Sequence, residues 1–170
     1  MWLLFFLACT GAPLKEDSAA PDGCFSEPAT VEVGGGSLAF EPVADGAEMT
    51  MVHGPQGGWH VLASARFSDV NPIVAIHYTV AVTSGAGAGQ IVVDNEYRVL
   101  IVEDVECGGY YPGMYGYLDV SALADGELDT PPELLAGQDL LLRMDVTDLD
   151  GRVASDTLTG RAALDPVDAD

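Results

Sequence analysis

From residue 24 onward the chain alternates short apolar-rich runs with clusters of Gly, Pro, Asn and Asp. The clearest run is Asp139-Leu140-Leu141-Leu142-Arg143-Met144-Asp145-Val146-Thr147, whose second half sets Leu142, Met144 and Val146 against Arg143, Asp145 and Thr147. A period of two puts one set on a core face and the other in solvent, the pattern of a half-buried strand. Asp148-Leu149-Asp150-Gly151 then supplies a turn, and residues 152–164 resume a β-like run, so the C-terminal part reads as a hairpin. Applied along the whole chain, the same rule predicts strands at 29–33, 37–41, 48–53, 59–67, 73–83, 90–93, 97–103, 117–120, 139–147 and 152–164, with a short helical turn at 132–135. The Gly-rich stretch from Gly85 to Gly89 falls between two strands and reads as a hairpin loop. With no long helical period anywhere, the expected fold is all-β, an antiparallel β-sandwich of about seven to ten strands.

The first nine residues, Met1-Trp2-Leu3-Leu4-Phe5-Phe6-Leu7-Ala8-Cys9, break this pattern with an uninterrupted apolar run. It is too short to cross a bilayer, which takes roughly 20 helical residues, but long enough for the apolar region of a secretory signal. Phe6-Leu7-Ala8-Cys9 resembles a bacterial lipobox. The resemblance implies that residues 1–8 are a cleaved signal peptide and that Cys9 is the lipid-carrying first residue of the mature chain. It also implies an exported protein anchored to the bacterial cell envelope, at the outer membrane. An uncleaved or conventionally cleaved signal is the alternative. The following residues, with Pro13, Pro21 and many small or polar side chains, lack apolar periodicity, so 9–23 reads as the lipidated cysteine with a flexible tether. Residues 24–165 then form the folded domain and 166–170 a disordered tail. The closing strand pair with its Asp-Gly turn resembles the last two strands of immunoglobulin-like extracellular modules, which implies an immunoglobulin-like sandwich.

Three cysteines occur, Cys9, Cys24 and Cys107. With Cys9 carrying lipid, Cys24 and Cys107 remain as an even pair in an oxidising compartment, where a disulfide is the default and two separate thiols the alternative. Charge narrows the partners. The chain has 27 Asp and Glu against 6 Lys and Arg, a formal net charge of -21, which excludes nucleic acid and leaves membrane attachment to lipid rather than to a basic patch. The expected partners are the membrane, through the anchor, and an envelope or extracellular protein.

No enzyme motif is present: the sequence has no GxSxG, no HExxH and no phosphate-binding loop, so catalysis is not expected. No cofactor is expected beyond two metal alternatives. On the strand at 48–53, Met49, Met51 and His53 share one face, and thioethers with an imidazole suit Cu(I). The bland assignment of the same residues is that Met49 and Met51 fill the core and His53 caps the strand. A symmetric 54–58 loop pairs His53 with Trp59 and turns His60 to the opposite face, whereas a slip of one residue brings the two histidines together. The Gly-Pro-Gln-Gly-Gly turn and the Trp59-His60 pair after it resemble a stretch of predicted bacterial lipoproteins to which no activity is attached. At the C-terminal hairpin, Asp145, Asp148, Asp150 and Asp156 offer oxygen ligands for Ca²⁺, the alternative being an ordinary acidic turn. Finally, Cys107 to Tyr117 reads as a Gly-rich loop carrying Tyr110, Tyr111, Tyr115 and Tyr117, either a recognition surface or rings folded back over the sandwich. The function expected from all this is a lipid-anchored interaction or structural module, with a metal-binding module as the alternative.

Overall fold

The computed structural model describes residues 24–85, 87–125 and 129–168. The expected signal peptide, the lipidation candidate Cys9 and the expected tether lie outside the described residues. Among the described residues, ten strands occur in chain order: β1 (Thr30–Gly35), β2 (Glu41–Pro42), β3 (Ala47–His53), β4 (Trp59–Ser68), β5 (Ile73–Val82), β6 (Ile91–Leu100), β7 (Val102–Val105), β8 (Gly108–Tyr117), β9 (Asp139–Asp148) and β10 (Val153–Leu164). A single helical turn, α1 (Pro131–Leu135), precedes β9 where the sequence placed one, and it buries Leu135.

Hydrogen bonding joins the strands into one mixed sheet in the order β2-β1-β4-β3-β10-β9-β5-β6, with β8 also on β4 and β7 outside β8. Strand β4 is the pivot. It pairs with β8 from His60 to Ser68, while β3 takes Trp59 to Val61 and β1 takes Ser64 to Ser68. Since β3 also pairs with β10, strands β1 and β3 lie end to end between β4 and β10, and the sheet curls around one core. Where β1 and β10 have no backbone pairing, the Asp156 carboxylate accepts the Val33 N–H at 2.9 Å. The opposite side is drawn together by Asp119 N–H donating to the Val92 carbonyl at 2.8 Å and Tyr117 N–H donating to Asn95 Oδ1 at 3.2 Å.

Burial follows the period of two. Val74, Ile76, Tyr78, Val80 and Val82 of β5 face Leu140, Leu142, Met144 and Val146 of β9 across the inner surface, all buried. Each such side chain is worth up to roughly 1.5–3 kcal/mol removed from water. The Cys24–Cys107 disulfide is formed, with Cα atoms 5.2 Å apart, and ties the start of the domain to the turn between β7 and β8.

Four expectations need correction. The sheet is not purely antiparallel, because β3 runs parallel to β10 from Gly160 opposite Ala47 to Leu164 opposite Met51. Gly160 allows that approach: a Cβ there would stand 2.7 Å from Met49 Cγ and 2.8 Å from the Ala47 carbonyl. The runs at 90–93 and 97–103 do not end at Asp94-Asn95-Glu96. One strand, β6, continues through them, since Asp94 and Glu96 point to solvent and only mimic a turn. The run at 37–41 keeps only Glu41–Pro42 as strand, and 117–120 contributes only its first residue, the end of β8. Past β10, Pro166–Asp168 forms a 3-10 turn, and the Asp168 carboxylate accepts the His53 N–H at 2.9 Å.

Candidate functional site

The two ends of β4 mark two different poles. At Ser68 the chain turns through Asp69, whose N–H donates to the Cys107 carbonyl at 2.7 Å and whose carboxylate accepts the Phe25 N–H at 3.1 Å. Arg152 covers the same corner, lying over the Phe25 ring and donating to the Glu27 carbonyl. The first described residues, from Cys24, therefore lie at this pole. At the other end, about 30 Å away for a ten-residue strand, stand Trp59 and His60.

The register there is the symmetric one: His53 pairs with Trp59, Val52 with His60 and Met51 with Val61. His53 therefore stacks obliquely on Trp59, with ring centroids 4.9 Å apart. His60 turns to the other face, that of Tyr117 and, two residues along, of Leu62 and Tyr115. Its ring lies 4.8 Å from Tyr115 and 6.5 Å from Tyr117, and those tyrosines stack on each other at 6.1 Å and 16°. His60 is only 6% exposed, whereas Tyr115 and Tyr117 are 47% and 60% exposed. Burial pulls the His60 pKa below the usual imidazole value, with Asp168 pulling weakly the other way, so the floor of the cluster is a neutral ring.

This cluster contains half of the tyrosines expected on a loop, and the expectation of a loop is wrong: residues 108–117 are strand β8. The glycines that suggested a loop stand where neighbours leave no room for a side chain. A Cβ on Gly108 would lie 2.3 Å from the Phe67 carbonyl oxygen, one on Gly109 2.2 Å from that of Val102, and one on Gly116 2.7 Å from the Tyr78 hydroxyl. Strand β8 also carries a bulge: Ala63 faces Met114 but Ala65 faces Tyr111, so two residues, Pro112 and Gly113, oppose Ser64. As a result Tyr111 packs against the core, Tyr110 lies half-buried opposite Arg66, and only Tyr115 and Tyr117 project into solvent. Tyr97 reaches across from β6 and donates its hydroxyl to the Tyr115 carbonyl, and burial pushes its pKa up.

The remaining candidate residues are dispersed. Met51 is wholly buried and Met49 nearly so, with Met49 packed over Gly160, while His53 is exposed at the strand end. His77 is on the outward face of β5, with Nε2 2.7 Å from Asp94 Oδ1, remote by register from both other histidines. The four hairpin aspartates do not converge on one point, although Asp148 and Asp150 share Asn71. Asp145 faces outward and takes two hydrogen bonds from Arg143, at 2.6 and 2.7 Å, which hold its carboxyl below the usual range. Asp148 is buried: its Oδ2 accepts the Asn71 N–H, and its Oδ1 accepts those of Asp150 and Arg152, all at 2.9 Å. Asp150 accepts from Asn71 Nδ2 at 3.3 Å. Asp156 is opposite Met144 and so lies on the face away from Asp145. Among the described residues, no three His, Cys, Asp or Glu side chains gather closely enough to hold a metal ion.

Sequence reasoning found the residues of the aromatic cluster but assigned them to two unrelated features, the 48–61 strands and the tyrosine stretch. The signal that joins them is the Pro112-Gly113 pair within a β-patterned run, which marks a bulge as readily as a turn.

No protein-family model matches the chain, and no curated protein matches it in sequence. Among solved structures, the chain is similar to the CooA pilin subunit from enterotoxigenic Escherichia coli, with a TM-score of 0.40 and 10% identity, over 82% of this chain and 100% of that one.

Proposed function

We propose that the chain is an exported, immunoglobulin-like β module, held to the bacterial envelope through Cys9, that works by binding a partner at the His60, Tyr115 and Tyr117 face. The observation that carries this reading is the exposed, mutually stacked tyrosine pair at the pole opposite the disulfide-tied start of the domain. Exposed aromatic rings that the core does not use are the side chains most often found at the centre of protein contacts. A disulfide suits an oxidising compartment, in keeping with export. An anchor joined to the pole where Cys24 lies would present the aromatic face away from its membrane.

Two measurements test the reading. Cys9→Ser moves the protein from the membrane fraction to the soluble exported fraction, and equal membrane retention of wild type and variant rules out the anchor. Tyr115→Ser/Tyr117→Ser leaves the melting temperature nearly unchanged if the rings serve recognition. A fall of several degrees assigns them to packing and removes the interaction site.

A further inference from the structure

We infer that the Tyr115 and Tyr117 face takes a cationic side chain, a Lys or Arg from a basic segment of a partner protein. This rests on the binding role proposed above and names the chemistry of the partner. The exposed faces of two nearly parallel phenol rings offer the negative π-surface that an ammonium or guanidinium group seeks. The ring beneath them, His60, is buried, and burial disfavours its charged form and so weakens its repulsion of a cation. The Asp168 carboxylate, which accepts the His53 N–H, acts on His60 in the sense that favours a positive charge there.

Among the described residues, the five arginines are placed away from the site. Arg66 is engaged over Phe40, Arg143 by Asp145 and Arg152 at the Phe25 corner, while the register sets Arg98 opposite Ala75 and Arg161 opposite Glu48 and Asp139. A net charge of -21 draws basic segments toward the surface and repels acidic ones. The field alone would bind a basic segment anywhere and would fade with salt. The rings supply the local, salt-resistant contact that fixes where it binds.

The test is a titration of the full domain with a capped tetrapeptide containing two arginines, followed through the tyrosine ring protons by NMR at 0.15 M and 0.5 M salt. The expected result is saturable shifts of Tyr115 and Tyr117 that persist at the higher salt, with affinity reduced at least tenfold in Tyr115→Ser/Tyr117→Ser. Shifts spread over the acidic surface, abolished at 0.5 M salt and equal in the variant, overturn the inference by leaving only the net field. A response of the same rings to a neutral tetrasaccharide but not to the peptide also overturns it, in favour of a carbohydrate platform. The melting temperature of the double variant separates the two levels: if it holds while the peptide is ignored, the cation fails and the interaction reading stands. If it falls, the interaction reading fails first.

Discussion

Tyr111 and Tyr115 belong to the same strand at positions of equal parity, yet Tyr111 packs on the core and Tyr115 faces solvent. An unbroken strand would put both on one face, because side chains alternate with a period of two. The reversal comes from the extra residue at Pro112-Gly113. Gly113 sits there at φ +65°, its N–H donates to the Gly36 carbonyl at 3.2 Å, and an added Cβ would stand 2.8 Å from the Ser37 carbonyl oxygen.

Gly113→Ala is therefore expected to destabilise the domain by about 1–3 kcal/mol, through left-handed backbone strain and collision with Ser37. Thermal unfolding measures the loss, and chemical acetylation of tyrosines reports the geometry. In the wild type, Tyr115 and Tyr117 react and Tyr111 is protected. An unshifted melting temperature and an unchanged acetylation pattern in the variant would show that the bulge does not depend on this glycine.

Asp148 organises the β9–β10 turn, since its two oxygens accept three backbone N–H groups from a buried position. Asp148→Ala leaves those donors without their acceptor and is expected to cost about 2–4 kcal/mol, with Asp148→Asn costing less because the amide oxygen still accepts. Urea denaturation distinguishes the two. Equal stability of all three proteins would mean that water satisfies the turn as well as the carboxylate does.

The disulfide closes a sequence separation of 83 residues. In the chain-entropy account a cross-link of that span stabilises by up to about 4–5 kcal/mol, with less commonly realised. Cys24→Ala/Cys107→Ala should therefore lower the melting temperature markedly, and reduction of the wild type should have the same effect. A double variant as stable as the oxidised protein contradicts this account of the corner formed by Phe25, Asp69 and Arg152.

His60 makes stability depend on pH in a definite direction. Its folded-state pKa is depressed by burial, while an unfolded histidine titrates near 6.5. Between those values the unfolded chain binds a proton that the folded one does not. The contribution of His60 is thus fully present above about pH 6.5 and is lost as pH falls through the window below it. Melting temperatures of wild type and His60→Phe, compared at pH 7.5 and 5.5, should diverge, with the wild type losing more on acidification. Parallel behaviour would mean that the ring is protonated in place between Tyr115 and Asp168.

Much of the architecture lies in local pattern. The alternation of Leu142, Met144 and Val146 with Arg143, Asp145 and Thr147 yields β9, and Asp148 to Gly151 yields the turn, with Gly151 at φ +80°. The pairing of Cys24 with Cys107 is expected from the cysteine count, given an oxidising compartment and a lipid-carrying Cys9, and the structure forms it. These features are legible because period, turn residues and covalent partners are properties of neighbours in the chain or of simple counts.

What the sequence could not decide depends on residues distant in the chain. The glycines at 108, 109, 113 and 116 look like loop formers. They lie in a strand because β4 and β7 pair with it, and Phe67, Val102, Ser37 and Tyr78 from elsewhere in the fold leave them no room for a side chain. The parallel approach of β3 to β10 depends on Gly160 meeting Met49, and the identity of the exposed tyrosines depends on a bulge opposite Ser64. A one-residue change of register reverses every side chain beyond it, so local propensity cannot choose the face. By itself the sequence determined a β-rich chain with the C-terminal hairpin and a pair of cysteines to bridge. Tertiary contact alone decided which aromatic rings lie buried and which face the solvent, because facing follows from the packing of strands that are far apart in sequence.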